Sequence, residues 1–378
     1  MTGQERADAP ELATAEVLEI SYQFLFFVIG TPLNLMALRK TRRKLREGGV
    51  ESRLVTLSRQ LMMAHVMVLF VYGVWRSYWL WSFWWTQGDI MCRVFSFLAT
   101  MPFHLWSNIV AAIAVDMLCS TITCFRSPLS SYRTGVTRVK YFISFSWALA
   151  IFCSIPMFFF RGVLTFHNSP DGGWYVVDSN NDSSLNFTGP VQYQCYALIF
   201  DYDASTLVAF NTFHILTTFY VPLAFILGCY VAIGLSLHRQ MAERKQIVDG
   251  GSVTARSSAT KVRFLRATIA IVCTFVFTWL PYQVLALLRV LCADNDYCKD
   301  MSKSVTFMQA IIIASTCINP FLYQFGSGRR TRASHHGSTY DSTHARAVIV
   351  ACHQKHSTAE ILSLLPKKTA SMIDLKAV

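Results

Sequence analysis

Seven long apolar blocks, separated by short polar stretches, set the pattern of this chain. They cover roughly residues 17–40, 54–81, 92–123, 141–160, 207–237, 267–290 and 304–325. At about 1.5 Å per helical residue, blocks of this length match the roughly 30 Å hydrocarbon core of a bilayer. Within the third block, helical spacing places Phe95, Ala99, Trp106, Ile113 and Asp116 along one side, with Cys92 at one end and the carboxylate at the other. The pattern predicts an all-α membrane protein, a bundle of seven transmembrane helices. Residues 1–16 form a leading tail, 17–325 the helical body, and 326–378 a polar, mostly disordered trailing tail.

Charge orients the bundle. The first block ends in Arg39, Lys40, Arg42, Arg43, Lys44 and Arg46, and most of the other Lys and Arg also fall in alternate connections and the trailing tail. The positive-inside rule makes those segments cytoplasmic, so the N-terminus lies outside and the C-terminus inside. The leading segment is acidic and runs straight into the first block, as expected of a signal anchor rather than a cleaved leader. The net charge of +12 is explained by topology, and no nucleic-acid partner is implied. With 53% apolar and 15% charged residues, the lipid bilayer is the expected environment. Cys92 and Cys195 both fall on the outer side, which predicts a bridge between them, and Cys292 with Cys298 is a second candidate pair. Asn181 and Asn186 stand in glycosylation sequons within the long outer connection 161–204.

Catalytic apparatus is missing from the sequence. There is no Gly-rich phosphate loop, no zinc-ligand pattern and no nucleophile elbow, and the two halves show no self-similarity of the kind many transporters carry. The expectation is therefore a protein that is not an enzyme and takes no metal or cofactor. What stands out instead is a scatter of polar residues within apolar helices: Asn34, His65, His104, Asp116, His214 and Asn319. Intramembrane polar groups are functional candidates by default.

Taken together, the landmarks resemble the rhodopsin-like family of G protein-coupled receptors. The resemblance is carried by Asn34, Trp85 with Gly88 before Cys92, Trp147, Pro222 and Tyr230, the sixth-span run with Phe275, Trp279 and Pro281, and Asn319-Pro320-Phe-Leu-Tyr323. The runs WWTQGDIMCRVFSFL and FTWLPYQVL look most like receptors for gonadotropin-releasing hormone, adipokinetic hormone and vasopressin-type peptides. Ala99 stands where amine receptors carry an Asp, and the seventh span lacks the Lys of opsins. The resemblance implies a plasma-membrane receptor for an extracellular peptide ligand that signals to a heterotrimeric G protein. It also implies an outer cavity bounded by Arg76, Trp79, His104, His214, Tyr282, Gln283 and Arg289, although helix packing or interfacial anchoring is the alternative role for each. Trp279 above the Pro281 break, with Phe275, would sense the ligand, and Tyr230, Asn319, Pro320 and Tyr323 would rearrange toward the inner end.

The chain departs from the family where the resemblance predicts the switch. The Asp-Arg-Tyr at the inner end of helix three is Asp116-Met117-Leu118, and the helix-two Asp of the sodium pocket is His65, with Trp106 in place of a nearby Ser. Two expectations follow for Asp116: a charge-swapped lock to Lys261 at the base of the sixth span, or a pairing with the second inner loop near Arg126 or Arg138. His65 is expected either to titrate or to stay neutral, hydrogen-bonded to Asn34 or Asn319. Two functions stay open, a signalling peptide receptor and a non-coupling seven-helix decoy or trafficking partner.

Overall fold

The computed structural model describes residues 4–7, 14–46, 53–126, 131–168, 174–177, 191–198, 202–245, 254–291 and 305–326. Six helical spans in it are long and apolar enough to cross a bilayer, and a shorter apolar stretch, Met308–Phe321, lies in the last helix. The first span is α1 (Thr14–Arg46). The second is a composite of α2 (Arg53–Phe70), a π-helical turn (Val71–Arg76) and α3 (Ser77–Ser82). The third is α4 (Gly88–Arg126). The fourth joins α5 (Ser131–Ser154) to the short α6 (Met157–Phe160). The fifth joins α7 (Ala204–Ile215), a second π-helical turn (Leu216–Tyr220) and α8 (Val221–Lys245). The sixth is α9 (Thr254–Leu291) and the seventh α10 (Val305–Gly326).

Several helices start before or end after their apolar blocks, and α9 begins some way ahead of Ala267. Hydropathy registers only the part of a helix in hydrocarbon, while Lys, Arg and Glu are good helix formers that carry the same helix on into water. The helices run through Pro32, Pro102, Pro281 and Pro320, which neighbouring helices tolerate in a membrane bundle.

α4 is the central column. It packs against α2, α5, α8 and α9, and 56% of its apolar stretch is buried, against 17% for α1. Leu105, Trp106, Ile109, Val110 and Ile113 are fully buried at its middle, among Leu61, Val68, Phe219, Trp279 and Ile312 from its neighbours. Large apolar side chains such as Phe24, Phe145, Phe152, Phe225 and Phe277 remain exposed on the outer surface of the bundle, where lipid replaces water. Gly73 allows the second span to lie against α1, since a Cβ there would collide with the Phe27 side chain.

The outer connection 161–204 reads in the sequence as a loop without regular structure. Its described parts, β2 (Arg161–Asn168), β3 (Trp174–Val177) and β4 (Val191–Ala197), instead form an antiparallel sheet with β1 (Gln4–Ala7) of the leading segment, order β1-β3-β2-β4. β4 is bonded to the second-to-third connection by the Trp85 amide on the Tyr193 carbonyl, and a Cys92–Cys195 disulfide ties it to α4. Arg93 reinforces the junction through Asp89, 2.7 Å away, and through the Phe158 carbonyl, while the Val163 amide donates to Asp89. Cys292 and Cys298, and Asn181 and Asn186, lie outside the described residues.

Closing a loop across a sequence separation of 103 residues makes the bridge worth on the order of 2–5 kcal/mol against the unfolded chain. Cys195→Ser is expected to lower the thermal unfolding temperature of the purified protein and reduce its surface level. Unchanged stability, or Cys195 recovered as a free thiol in non-reducing peptide mapping, would contradict this.

Candidate functional site

At the outer end, the π-helical turn of the second span carries Arg76 inward. π-Turns insert an extra residue and are frequent at functional sites because they re-aim the side chains beyond them. Arg76 donates to Glu19 of α1 at 2.6 Å, and Glu19, only 5% exposed, also accepts from Gln23 at 2.8 Å. The guanidinium also lies 5.6 Å from the Trp79 ring centre. An inward Arg needs an acceptor, and here α1 supplies it within the chain. Trp79 is tied down in the same way: its Nε1 donates to Gln194 of β4 at 2.7 Å, and Gln194 in turn donates to the Phe83 carbonyl.

Across the bundle, His104 of α4 faces His214 of α7, with Nε2 and Nδ1 3.2 Å apart and the Thr218 hydroxyl beside both. Gln283 of α9 is buried, its Oε1 without a hydrogen-bond partner, and its backbone carbonyl accepts from Tyr220 at 3.5 Å. Tyr282 is half-buried next to it, and Arg289, exposed at the outer end of α9, is within electrostatic reach of Tyr282. Sequence reasoning missed Arg161, the first residue of β2, directly after the apolar run Met157–Phe160. Its guanidinium is within electrostatic reach of Tyr196, Arg76, Tyr72 and His214. Burial pushes it below the usual value for an arginine, and among the described residues no carboxylate pairs with it. The abrupt charge at the end of an apolar run was the available signal.

Below this level the aromatic residues interlock. Trp279 contacts Phe275, Trp106, Phe103 and Phe219, with ring centres 4.8, 5.2, 5.6 and 6.3 Å away. Its Nε1 is buried with no hydrogen-bond partner. Trp106 stands edge-on to His65 at 4.3 Å. His65 bridges three helices: Nδ1 lies 3.3 Å from Asn34 Oδ1, and Nε2 lies 3.2 Å from Asn319 Nδ2. Asn34 also donates to the Thr316 carbonyl at 3.0 Å, so α1, α2 and α10 share one buried network. Asn319 acts as donor to Nε2, so Nδ1 carries the hydrogen toward Asn34 and the ring is a neutral linker.

At the inner end, Asp116 is 1% exposed, and its Oδ1 accepts from Arg138 of α5 at 2.7 and 3.2 Å and from Arg53 of α2 at 3.4 Å. Two cations on this carboxylate thus come from the second and fourth spans, and Arg138 is one of the partners the sequence offered for it. Lys261, in the first half of α9, has its side chain outside the described set, as has Tyr323 of α10. Arg138 is on the same helical stretch that α5 adds before its apolar block, which brings it level with the end of α4. Met117 is buried where the family resemblance expected an Arg. The Tyr230 hydroxyl is buried beside Thr268 without closing a hydrogen bond of standard length.

Removing one partner from a buried ion pair is costly because the other charge is left desolvated. A double-mutant cycle of Asp116→Asn with Arg138→Gln is expected to show coupling of about 1–3 kcal/mol in thermal stability, and the same cycle with Lys261→Gln close to zero. The reverse order would favour the swapped lock. At the centre, replacing sodium by N-methylglucamine at constant ionic strength is expected to leave the unfolding temperature unchanged, because His65 and Trp106 fill the polar pocket with an imidazole and an indole. A rise in stability specific to sodium would refute this.

Comparison with known proteins agrees with this geometry. A family profile described as "7 transmembrane receptor (rhodopsin family)" matches residues 47–323. The G-protein coupled receptor daf-38 of Caenorhabditis elegans is 23% identical over 397 aligned positions, covering 85% of this chain and 91% of that protein. The type-2 angiotensin II receptor of Meriones unguiculatus is 25% identical over 319, covering 83% and 77%. The gonadotropin-releasing hormone II receptor of Clarias gariepinus is 24% identical over 330, covering 84% and 78%. With a seven-helix bundle, the outer disulfide and a family match across most of its length, this multi-pass plasma-membrane protein belongs to the rhodopsin family of seven-transmembrane receptors.

Proposed function

We propose that this chain is a receptor for an extracellular peptide bearing an acidic group, and that it passes binding to a heterotrimeric G protein by helix rearrangement. The observation that carries the reading is Arg161. A half-buried guanidinium without a carboxylate partner among the described residues, beside the already satisfied Arg76, is a site prepared for an anion from outside the chain. A peptide can supply a carboxylate from its C-terminus or from Asp or Glu, and its remaining length suits an outer mouth framed by β2, β4, Tyr282 and Gln283. Two of the relatives are named as peptide hormone receptors, which supports the same ligand class. The N-terminus and the sheet lie outside and the C-terminus inside, following the basic residues of the connections.

Ligand seated at this level bears on His104, His214 and Gln283, and through Gln283 on the helix that carries Trp279. Trp279 is held by apolar rings alone, its N–H unpaired, so it has no polar tether to break when α9 moves about Pro281. Met117 supports the second reading, a receptor that binds without coupling, since the inner end of α4 offers a thioether where a guanidinium would present charge.

The deciding experiment is a peptide screen on cells expressing the full chain, read both as surface binding and as G protein activation. Activation is expected for a peptide with a free carboxylate. Arg161→Ala should weaken its potency by at least about tenfold, the scale of one charge-assisted hydrogen bond, while surface expression is retained. Binding without activation would favour the decoy reading, and equal potency on wild type and Arg161→Ala would remove the anion-site argument.

A further inference from the structure

His104 and His214 meet in the outer half of the bundle in a way that a hydrogen bond between neutral rings satisfies and that metal coordination satisfies as well. His104 Nε2 and His214 Nδ1 are 3.2 Å apart, and Thr218 Oγ1 is 3.3 Å from the first and 3.5 Å from the second. Three donor atoms thus form a nearly equilateral triangle. At zinc–nitrogen bond lengths of about 2.0–2.1 Å, two nitrogens this far apart subtend about 100° at the ion, close to a tetrahedral angle. The triangle then forms one face of the tetrahedron and leaves the fourth position open.

The surroundings fit that chemistry. The π-helical turn Leu216–Tyr220 begins two residues after His214 and contains Thr218, and it sets both side chains against α4. His104 is fully buried and also has a hydrogen bond with the Thr217 backbone. Hydrogen bonding to protein oxygens is the usual way a metal-binding imidazole is oriented, and Thr218 Oγ1 also lies 3.3 Å from His104 Nδ1. His214 is half-buried. The other titratable or charged groups bearing on the pair are Cys153 of α5, bonded to Thr217, and Arg161 of β2. Among the described residues no third imidazole, thiol or carboxylate joins the two rings, so a bound dication keeps its full charge. Arg161 opposes that charge, and an anion resting on Arg161 relieves the opposition.

We propose that His104, His214 and Thr218 form a modulatory site for a borderline transition-metal dication, of which zinc is the one with suitable geometry and no redox chemistry, with its open position facing the outer mouth. The site is independent of the peptide reading. Its ion sits next to Arg161, so metal and anionic ligand bind cooperatively, the ligand's carboxylate taking the open position or neutralising Arg161.

The test needs no peptide and no G protein. Thermal unfolding of the purified full chain is followed with free zinc stepped from about 1 to about 100 µM, a range that spans moderate two-imidazole affinities, with magnesium as the hard-cation control and a chelator for reversal. Zinc, not magnesium, should raise the unfolding temperature reversibly. The rise should shrink to the background of the histidine-rich tail in His214→Gln, fall in Thr218→Val, and appear at lower zinc in Arg161→Ala. If His214→Gln does not fold, the Thr218→Val and Arg161→Ala shifts carry the comparison. A zinc-induced rise of equal size and midpoint in wild type and all variants, or no rise in wild type and Arg161→Ala alike, overturns the proposal while leaving the receptor reading intact.

Discussion

The carboxylate at the inner end of α4 cannot be left alone in low dielectric. Asp116 is buried, and a buried unpaired charge costs several kcal/mol. Two arginines reach it from different helices, and Gly135 makes room, since a Cβ there would lie 2.8 Å from Arg53 Nη1. The result is that α2, α4 and α5 are joined at the end of the bundle opposite the sheet. At the opposite end of the same helix the Cys92–Cys195 bridge fixes the sheet over the bundle. α4 is therefore held at both ends by interactions that do not slide, and the other helices pack around its fully buried middle.

This arrangement separates two groups of helices. α1, α2 and α10 are joined by the Asn34–His65–Asn319 network, and α5 joins α2 and α4 through Arg138 and through the Trp147 bond to Gln60, 3.1 Å long. The described contacts between α9 and α4 are of another kind: aromatic faces and edges around Trp279 and Phe275. Dispersion contacts between rings fall off gradually and can be exchanged for others, whereas a buried ion pair has one good geometry. The described contacts of α9 with α4 are thus ring packing, on the same helix that carries the outer residues Tyr282 and Gln283 and the unpaired Trp279 indole.

The outer site shows a similar division between satisfied and unsatisfied polar groups. Arg76 and Trp79 were both candidate ligand contacts, and both have partners inside the chain, Glu19 and Gln194. Arg161 has none among the described residues. Placing a second cation close to a first without a second anion is electrostatically unfavourable, and folds retain such features where a binding partner supplies the missing charge.

The sequence by itself determined the spans and their order, because hydrocarbon accepts a backbone only when its polar groups are bonded locally, and twenty apolar residues announce that requirement without any knowledge of neighbours. It also disclosed the disulfide, because Cys92 and Cys195 both fall in outer segments and the other two outer cysteines lie close to each other, and a neutral His65 bonded to Asn34 or Asn319 was one of its open alternatives. Partners across helices were decided by the tertiary structure. Nothing local singles out Arg138 and Arg53 among the many basic residues as cations for Asp116; rotation of each helix and its extension beyond the apolar block bring them there. The same holds for Glu19 under Arg76 and for the sheet over the bundle, whose strand pairings join residues far apart in the chain. The π-helical turns lie deeper still, since each inserts a residue that periodicity read from a regular helix does not show and so shifts the face that later residues present.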